Sequence, residues 1–300
     1  MNTMHTVRFS QVDVFSAVPF KGNPLAVVFD ADGLDTAQMQ AIARWTNLSE
    51  TTFLLKPDDP DADYRVRIFT TGGELPFAGH PTLGTAHALR ESGYRPRRPG
   101  RLVQQCGVGL VELSERNHGR WAFAAPPARI TPLPAPQHAG LIRALRTDAI
   151  DFAAPPCIVD NGAPWLVVRM NSAADCLALR PDIAILAPVT RAGGTDGLAI
   201  YGPHGVDGPA CFEMRCLMTG GRFGFGEDPV TGSANAALAC LLDAQGRRPA
   251  DTYMVRQGTA LERDGRVAIS HDAQGRVWIG GDCVTVIEGC FRYQEPLNGL

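Results

Sequence analysis

Nowhere does the 300-residue chain run apolar for the ~18 residues that a membrane helix needs, so no membrane span is expected. Its first residues, Met1 to Val7, lack a basic segment followed by an apolar run, and no secretory leader is expected. Paired-thiol chemistry is missing too. The eight cysteines, at 106, 157, 176, 211, 216, 240, 283 and 290, form no C-x-x-C pair and sit at no zinc spacing with histidines. They are expected to be reduced thiols of a cytoplasmic protein with no metal site. An excess of one charge is absent: 28 Lys and Arg against 31 Asp and Glu leave −3, which gives no footprint for nucleic acid or a membrane surface. The densest basic run, Arg95 to Arg101, is broken by prolines and glycine and reads as a solvated loop. No G-x-G-x-x-G follows a strand pattern, which argues against a dinucleotide-binding Rossmann layout.

What is present is a motif written twice. Glu74-Leu-Pro76-Phe-Ala78-Gly79-His80, running on to Leu89, is answered by Glu227-Asp228-Pro229-Val-Thr231-Gly232-Ser233, running on to Leu242. Glu, Pro, Gly, Ala and Leu recur in register at an offset of 153. A shorter echo relates Gly22-Asn23-Pro24-Leu-Ala-Val27-Val28 to Gly162-Ala-Pro164-Trp165-Leu-Val167-Val168 at an offset of 140. The period is too long for a solenoid. Three hundred residues accommodate two domains of about 150. The expected division is residues 1–128 and 129–300, at the Pro-rich segment Ala125–Gln137, with the last strand (about 285–300) a candidate to join the first domain.

Strand-like runs dominate, at Val7–Phe15, Leu25–Phe29, Thr51–Leu55, Tyr64–Thr70, Arg101–Gln105, Val108–Leu113 and Arg120–Ala124. In the second half they fall at Cys157–Asp160, Trp165–Arg169, Gly197–Tyr201, Ala210–Leu217 and through Tyr253–Tyr293. Helices are expected over Asp35–Trp45, capped by Asp35, over Gly79–Arg90, near Ala139–Leu145 and over Ser233–Ala244. A Gly-rich loop spans Gly220–Gly226. The second and fourth helices carry small residues on every face, which suits burial inside a closing sheet. The expected fold is therefore α+β, two pseudo-symmetric domains, each a curved sheet wrapped around one central helix.

The repeated turn carries the chemistry. Gly79 and Gly232 each precede a helix, where free N–H groups and the positive end of the helix dipole favour a carboxylate. One such glycine merely starts a helix; two in register, facing each other across a cleft, suggest a substrate-binding pair. His80 is a general acid or base by residue type and equally a polar helix start. Ser233 is an N-cap by default. Asp228 puts a carboxylate where the first copy has Leu75, a divergence that suits a site handling two different ends of one substrate.

These motifs carry a family resemblance. Asp13-Val-Phe15, Gly22-Asn23-Pro24-Leu-Ala-Val, Asn47-Leu-Ser49-Glu50-Thr51, Pro76-Phe-Ala-Gly79-His80-Pro-Thr-Leu-Gly84 and Glu227-Asp228-Pro229-Val-Thr-Gly232-Ser233-Ala, in that order, resemble the PhzF-like phenazine biosynthesis family, over essentially the whole chain. That family is similar to the diaminopimelate epimerase superfamily. The resemblance implies the same two-lobed fold, an interdomain cleft, a homodimer and no cofactor. It also implies Glu50 as the acid/base group, with His80, Asp228 and Ser233 at the other catalytic positions. From residue type alone, a glutamate between a helix and a strand is ordinarily solvated. Epimerases of the superfamily use two opposed thiols, and the matching positions here are Ala78 and Thr231. Two-thiol epimerisation is therefore not expected. The expected activity is a cofactor-independent isomerase that moves a proton on a small cyclic or unsaturated amino or hydroxy acid, similar to trans-2,3-dihydro-3-hydroxyanthranilate isomerase. A racemase or lyase acting on another small acid, and a small-acid-binding protein without turnover, stand as alternatives.

Overall fold

The computed structural model describes residues 4–116, 120–195, 197–220 and 225–294. Residues 221–224 of the Gly-rich loop, and the chain beyond 294, lie outside the described residues. In the first half the elements run β1 (Met4–Val14), β2 (Asn23–Val28), α1 (Thr36–Thr46), β3 (Glu50–Leu55), β4 (Tyr64–Phe69), β5 (Glu74–Leu75), α2 (Gly79–Glu91), β6 (Arg101–Cys106), β7 (Gly109–Arg116), β8 (Arg120–Ala124) and β9 (Arg129–Pro132). The second half runs α3 (Ala135–Leu145), β10 (Cys157–Asp160), β11 (Pro164–Arg169), α4 (Ala173–Ala178), α5 (Ile183–Ala192), β12 (Gly197–Pro203), β13 (Phe212–Thr219), β14 (Phe225–Asp228), α6 (Gly232–Ala244), β15 (Thr252–Gln257), β16 (Gly265–His271), β17 (Val277–Gly281) and β18 (Cys283–Gln294).

The two halves repeat one pairing scheme. β1 and β2 are antiparallel, β2 and β3 parallel, β3 to β4 to β5 antiparallel, and β4 pairs in parallel with β6, which continues antiparallel through β7 and β8. The same relations link β10, β11, β12, β13 and β14, then β13 with β15 and on through β16 and β17. The final strand of each half is exchanged. β9 lies antiparallel to β10, and β18 runs the full length of β1 from Met4↔Gln294 to Val14↔Cys283. β8 and β17 pair antiparallel at the seam, with Phe123 opposite Ile279. Tyrosine, valine and isoleucine alternating with arginine in β4 show the period-2 pattern that drives such pairing.

Each sheet curls around one helix. α2 packs against β1, β2, β3, β8 and β18, and α6 against β10, β11, β16 and β17. Leu83, Ala86 and Ala88 on α2 and Ala234, Ala237, Leu238 and Leu241 on α6 join one core that runs through both halves. α1 covers the outer face of the first sheet over Val28, Phe53 and Phe69. In the second half α3, α4 and α5 share that task, over Leu166, Val168, Leu198 and Ile200.

The helix α1 begins where its cap chemistry says: Asp35 accepts from the Gln38 N–H and the Gln38 side chain accepts from the Asp35 N–H. α4 and α5 do not show as helices in the sequence. α4 is six residues long, and α5 is a nearly continuous apolar run with Pro188 inside it, which reads equally as a buried strand. The Pro-rich segment 125–137 is more ordered than a linker. Arg129, Ile130 and Thr131 form β9 between prolines, and Pro132 ends the strand where no further N–H is needed.

The two central helices meet tip to tip. A Cβ built on Gly232 would lie 3.3 Å from the Gly79 Cα and 3.3 Å from the His80 nitrogen. A Cβ on Gly79 would lie 2.7 Å from the Phe123 ring, which is held edge-on by Phe77. Gly79→Ala is therefore expected to lower stability by about 1–3 kcal/mol, measured by urea unfolding. Gly73→Ala, where the new methyl meets open space, is expected to stay within about 0.5 kcal/mol.

Candidate active site

The abutting helix N-termini form the floor of a cavity of about 960 Å³ between the halves. Glu50, Gly79, His80, Asp228, Gly232 and Ser233 all line it. The sequence expectation had the two termini facing each other across a cleft. They instead touch, because glycine at both first helical positions removes the side chains that would hold them apart, and their N–H groups open onto one surface.

Glu50 is the first residue of β3 and pairs in register with Leu25 on β2. It follows a left-handed Asn47 that ends α1, so the chain turns into the sheet just before the carboxylate. Two residues upstream of Leu25, Asn23 reaches across to the second half: its Nδ2 donates to Asp228 Oδ1 at 3.1 Å and to the Val230 carbonyl at 2.9 Å. Asp228 Oδ2 accepts from the Thr231 hydroxyl at 2.6 Å. Gln257 completes the clamp, accepting from the Thr231 N–H at 3.0 Å and donating to the Asp228 carbonyl at 3.1 Å. Asp228 is thus rigidly held, whereas Glu50 is not. Its Oε2 and the His80 Nε2 face each other at 3.4 Å, and neither makes a hydrogen bond among the described residues.

Burial sets the charges. Glu50, 9 % exposed, is pushed up to about 8, first by desolvation and then by the charge of Asp228. Asp228 is pushed up to about 6 by desolvation, against the pull of its bonds from Thr231 and Asn23. Desolvation takes His80 down to about 3. At neutral pH the carboxylate pair shares one proton, held on Glu50, beside a neutral imidazole. A glutamate with this environment is poised to exchange a proton near neutrality. Glu227, next to Asp228, is spent on Arg215, which grips it with Nε at 3.0 Å and Nη2 at 2.8 Å.

The second half carries no counterpart of the Glu50–His80 pair. Carrying the echo of β2 onto β11 and the parallel pairing of β3 onto β12 puts Gly197 where the first half has Glu50. The space is filled by Trp165, whose ring would lie 2.5 Å from a Cβ on Gly197. Its Nε1 donates to Ser233 Oγ at 3.1 Å. Ser233 does not cap α6: Thr231 is the N-cap residue and makes no side-chain cap bond.

Asn23, Gln257, Trp165 and Cys216 were not singled out from the sequence. Asn23 and Trp165 lie in the Gly-x-Pro echo, and Asn23 also in the ordered family motifs. Gln257 and Cys216 lie on β15 and β13, and only strand register brings them in, Cys216 directly opposite Asp228. Cys216 is fully buried and its thiol is held well above the ordinary range by desolvation. Among the described residues no group of three or more His, Cys, Asp or Glu is placed to hold a metal ion, and no helix is long and apolar enough to cross a membrane.

Comparison with known proteins places this geometry. The profile of the family described as phenazine biosynthesis-like protein matches residues 12–289. Over 292 residues the chain is 37% identical to antisense-enhancing sequence 1 of Schizosaccharomyces pombe, covering 94% of this chain and 97% of that one. It is 33% identical over 292 residues to the trans-2,3-dihydro-3-hydroxyanthranilate isomerase of Pseudomonas aeruginosa, covering 94% and 98%. The crystal structure of a PhzF-family phenazine biosynthesis protein from Bacillus anthracis is similar with a TM-score of 0.84 at 24% identity, covering 96% of this chain and 99% of that one, a likeness of fold.

Two titrations check the electrostatics. The Glu50 carboxyl, followed by carbon-13 NMR, is expected to titrate near 8 and to fall toward the usual carboxylate range in Asp228→Asn, which removes the neighbouring charge. The raised Glu50 value stabilises the fold fully below 4.5 and loses that contribution as pH rises through about 8. The lowered His80 value acts oppositely, present above 6.5 and lost as pH falls through about 3. Glu50→Gln is expected to remove about 1–3 kcal/mol of the stability lost on the alkaline side, and His80→Gln to flatten the acid side, both read by urea unfolding against pH. Iodoacetamide should leave Cys216 unmodified in the folded protein, as read by mass spectrometry.

Proposed function

The chain belongs to the phenazine biosynthesis-like family and is an isomerase of that family; from that premise we propose that Glu50 takes a proton from one carbon of a small unsaturated amino or hydroxy acid and returns it to another. The observation that carries the proposal is the Glu50 carboxyl itself. It is buried, lacks a protein partner for Oε2, is pushed up to about 8, and faces a cavity floored by two helix N-termini.

The chemistry balances without an oxidant. The ionised Glu50 takes the proton from a carbon next to a double bond, and the electron pair left behind shifts along the conjugated system. Glu50, now protonated, delivers the same proton to the far end. The substrate carboxylate sits on the N–H groups at Gly79 and Gly232 and the Ser233 hydroxyl, where the helix dipoles favour negative charge. Neutral His80, carrying its proton on Nε2, donates to the Glu50 carboxylate as it ionises. Burial, and then the charge of Asp228 fixed by Asn23 and Thr231, raise the proton affinity of Glu50 so that its carboxylate is a stronger base toward the substrate carbon. Shape and exclusion of water must supply the remainder of the rate. The substrate resembles that named for the Pseudomonas aeruginosa relative, a cyclic amino acid with a hydroxyl. A two-base racemase finds less support, because Gly197 stands at the mate of Glu50, and Ala78 and Thr231 stand where opposed thiols would be needed. We further place the protein as a homodimer in the cytoplasm, a reducing compartment that suits eight free cysteines.

Proton NMR in D₂O with trans-2,3-dihydro-3-hydroxyanthranilate and related cyclic acids tests the proposal. Deuterium is expected to enter one carbon position, with a rate that drops about 10²–10⁴-fold in Glu50→Gln. Undiminished exchange in that variant would remove Glu50 from the role. The kcat/KM profile is expected to climb with pH toward the Glu50 titration near 8 and to shift to lower pH in Asp228→Asn.

A further inference from the structure

The polar floor occupies only part of the cavity. A ring acid of about eleven non-hydrogen atoms, given even the ~30 Å³ that a water molecule takes in the liquid, fills roughly a third of the 960 Å³. Much of the remaining wall is apolar, although Thr70, Thr71, Glu112 and Asn161 also line it, and the apolar part ends in two lips that face water. One is the tip of the β6–β7 hairpin, where Val108 is 58% and Leu110 45% exposed. The other is Phe225, opening β14 in the second half and 76% exposed. Between lips and floor lie Val111, Met218 and the edge-to-face pair Phe77 and Phe123.

The hairpin is not placed there by chance of a loose loop. A Cβ on Gly107 would lie 2.7 Å from the Pro76 Cα, so the tip is pressed onto the same turn that leads into Gly79. Apolar side chains brought to one mouth from both halves, with Val111, Met218, Phe77 and Phe123 lining the same cavity, mark a binding surface rather than scattered exposure.

Resting on the functional reading above, we infer that the substrate carries an apolar arm, an aryl or branched alkyl group, extending from its carboxylate-bearing head along Phe123 and Val111 to seat between Leu110 and Phe225. The floor then positions the reacting carbons, and the arm supplies binding that aligns them with Glu50.

Isothermal titration of the full chain with anthranilate, 4-phenylanthranilate and 5-phenylanthranilate tests this. At least one phenyl derivative is expected to bind ten-fold or more tighter than anthranilate, with a more negative heat-capacity change. Leu110→Ser and Phe225→Ser, both exposed positions whose folding is checked by thermal melting, should each narrow that preference at least three-fold. Anthranilate binding as tightly as both derivatives would overturn the arm and leave the isomerase reading standing. So would a preference that survives both substitutions. Failure of all three compounds to bind would sink the carboxylate-binding floor, and the arm with it.

Discussion

Contact between two glycines organises this protein. Gly79 and Gly232 let the N-termini of the two buried helices meet so closely that a Cβ on either would lie 3.3 Å from the other's Cα, and that contact sets the spacing of everything around it. Two helix dipoles pointing their positive ends at one spot repel each other. The arrangement is relieved by negative charge nearby, which the ionised Asp228 provides at neutral pH. The floor of the cavity is thus an electrostatic vacancy built by backbone geometry, and no lysine or arginine among the described lining residues is needed to make it.

Duplication explains the scaffold, and divergence explains the chemistry. Both halves present a strand head, a turn and a helix start to the cavity in the same relation. In the first half those positions hold Glu50 and His80, facing each other at 3.4 Å. In the second they hold Gly197 and Ser233, with the Trp165 indole filling the vacated space and bonded to the serine. One half presents an ionisable carboxyl beside an imidazole while the other presents a wall and a hydroxyl. Asp228 reverses the asymmetry, standing where the first half has Leu75. The exchange of β9 and β18 between halves, together with the β8–β17 seam, ties the two lobes so that these groups meet at fixed distances.

Holding two carboxylates and a histidine out of water costs stability that the surrounding core must offset. The network around Asp228 limits that cost, since Asn23, Thr231 and Gln257 bond its carboxylate and the turn that follows it. Glu50 Oε2 is left without such support, and the proposed role in proton transfer rests on that lack. A carboxyl satisfied by the protein would have a lower proton affinity and little reason to exchange with a substrate carbon.

Much of this was legible in the chain. The repeated Pro-x-x-Gly turns located both buried helices to within a residue or two, because glycine and proline act locally on the backbone. Asp35 as an N-cap placed the start of α1 for the same reason. The alternating patterns of β4 and β8 announced strands, and the ordered motifs singled out Glu50, His80, Asp228 and Ser233. What the chain could not declare were relations set by strand register: Asn23 bonded to an aspartate 205 positions away, Cys216 opposite that aspartate, and Trp165 in the place of a second base. Local preferences are written in neighbouring residues, whereas burial and charge coupling exist only once distant strands have paired. For that reason the identity of the acid was a matter of sequence, and its poise near neutrality a matter of tertiary structure.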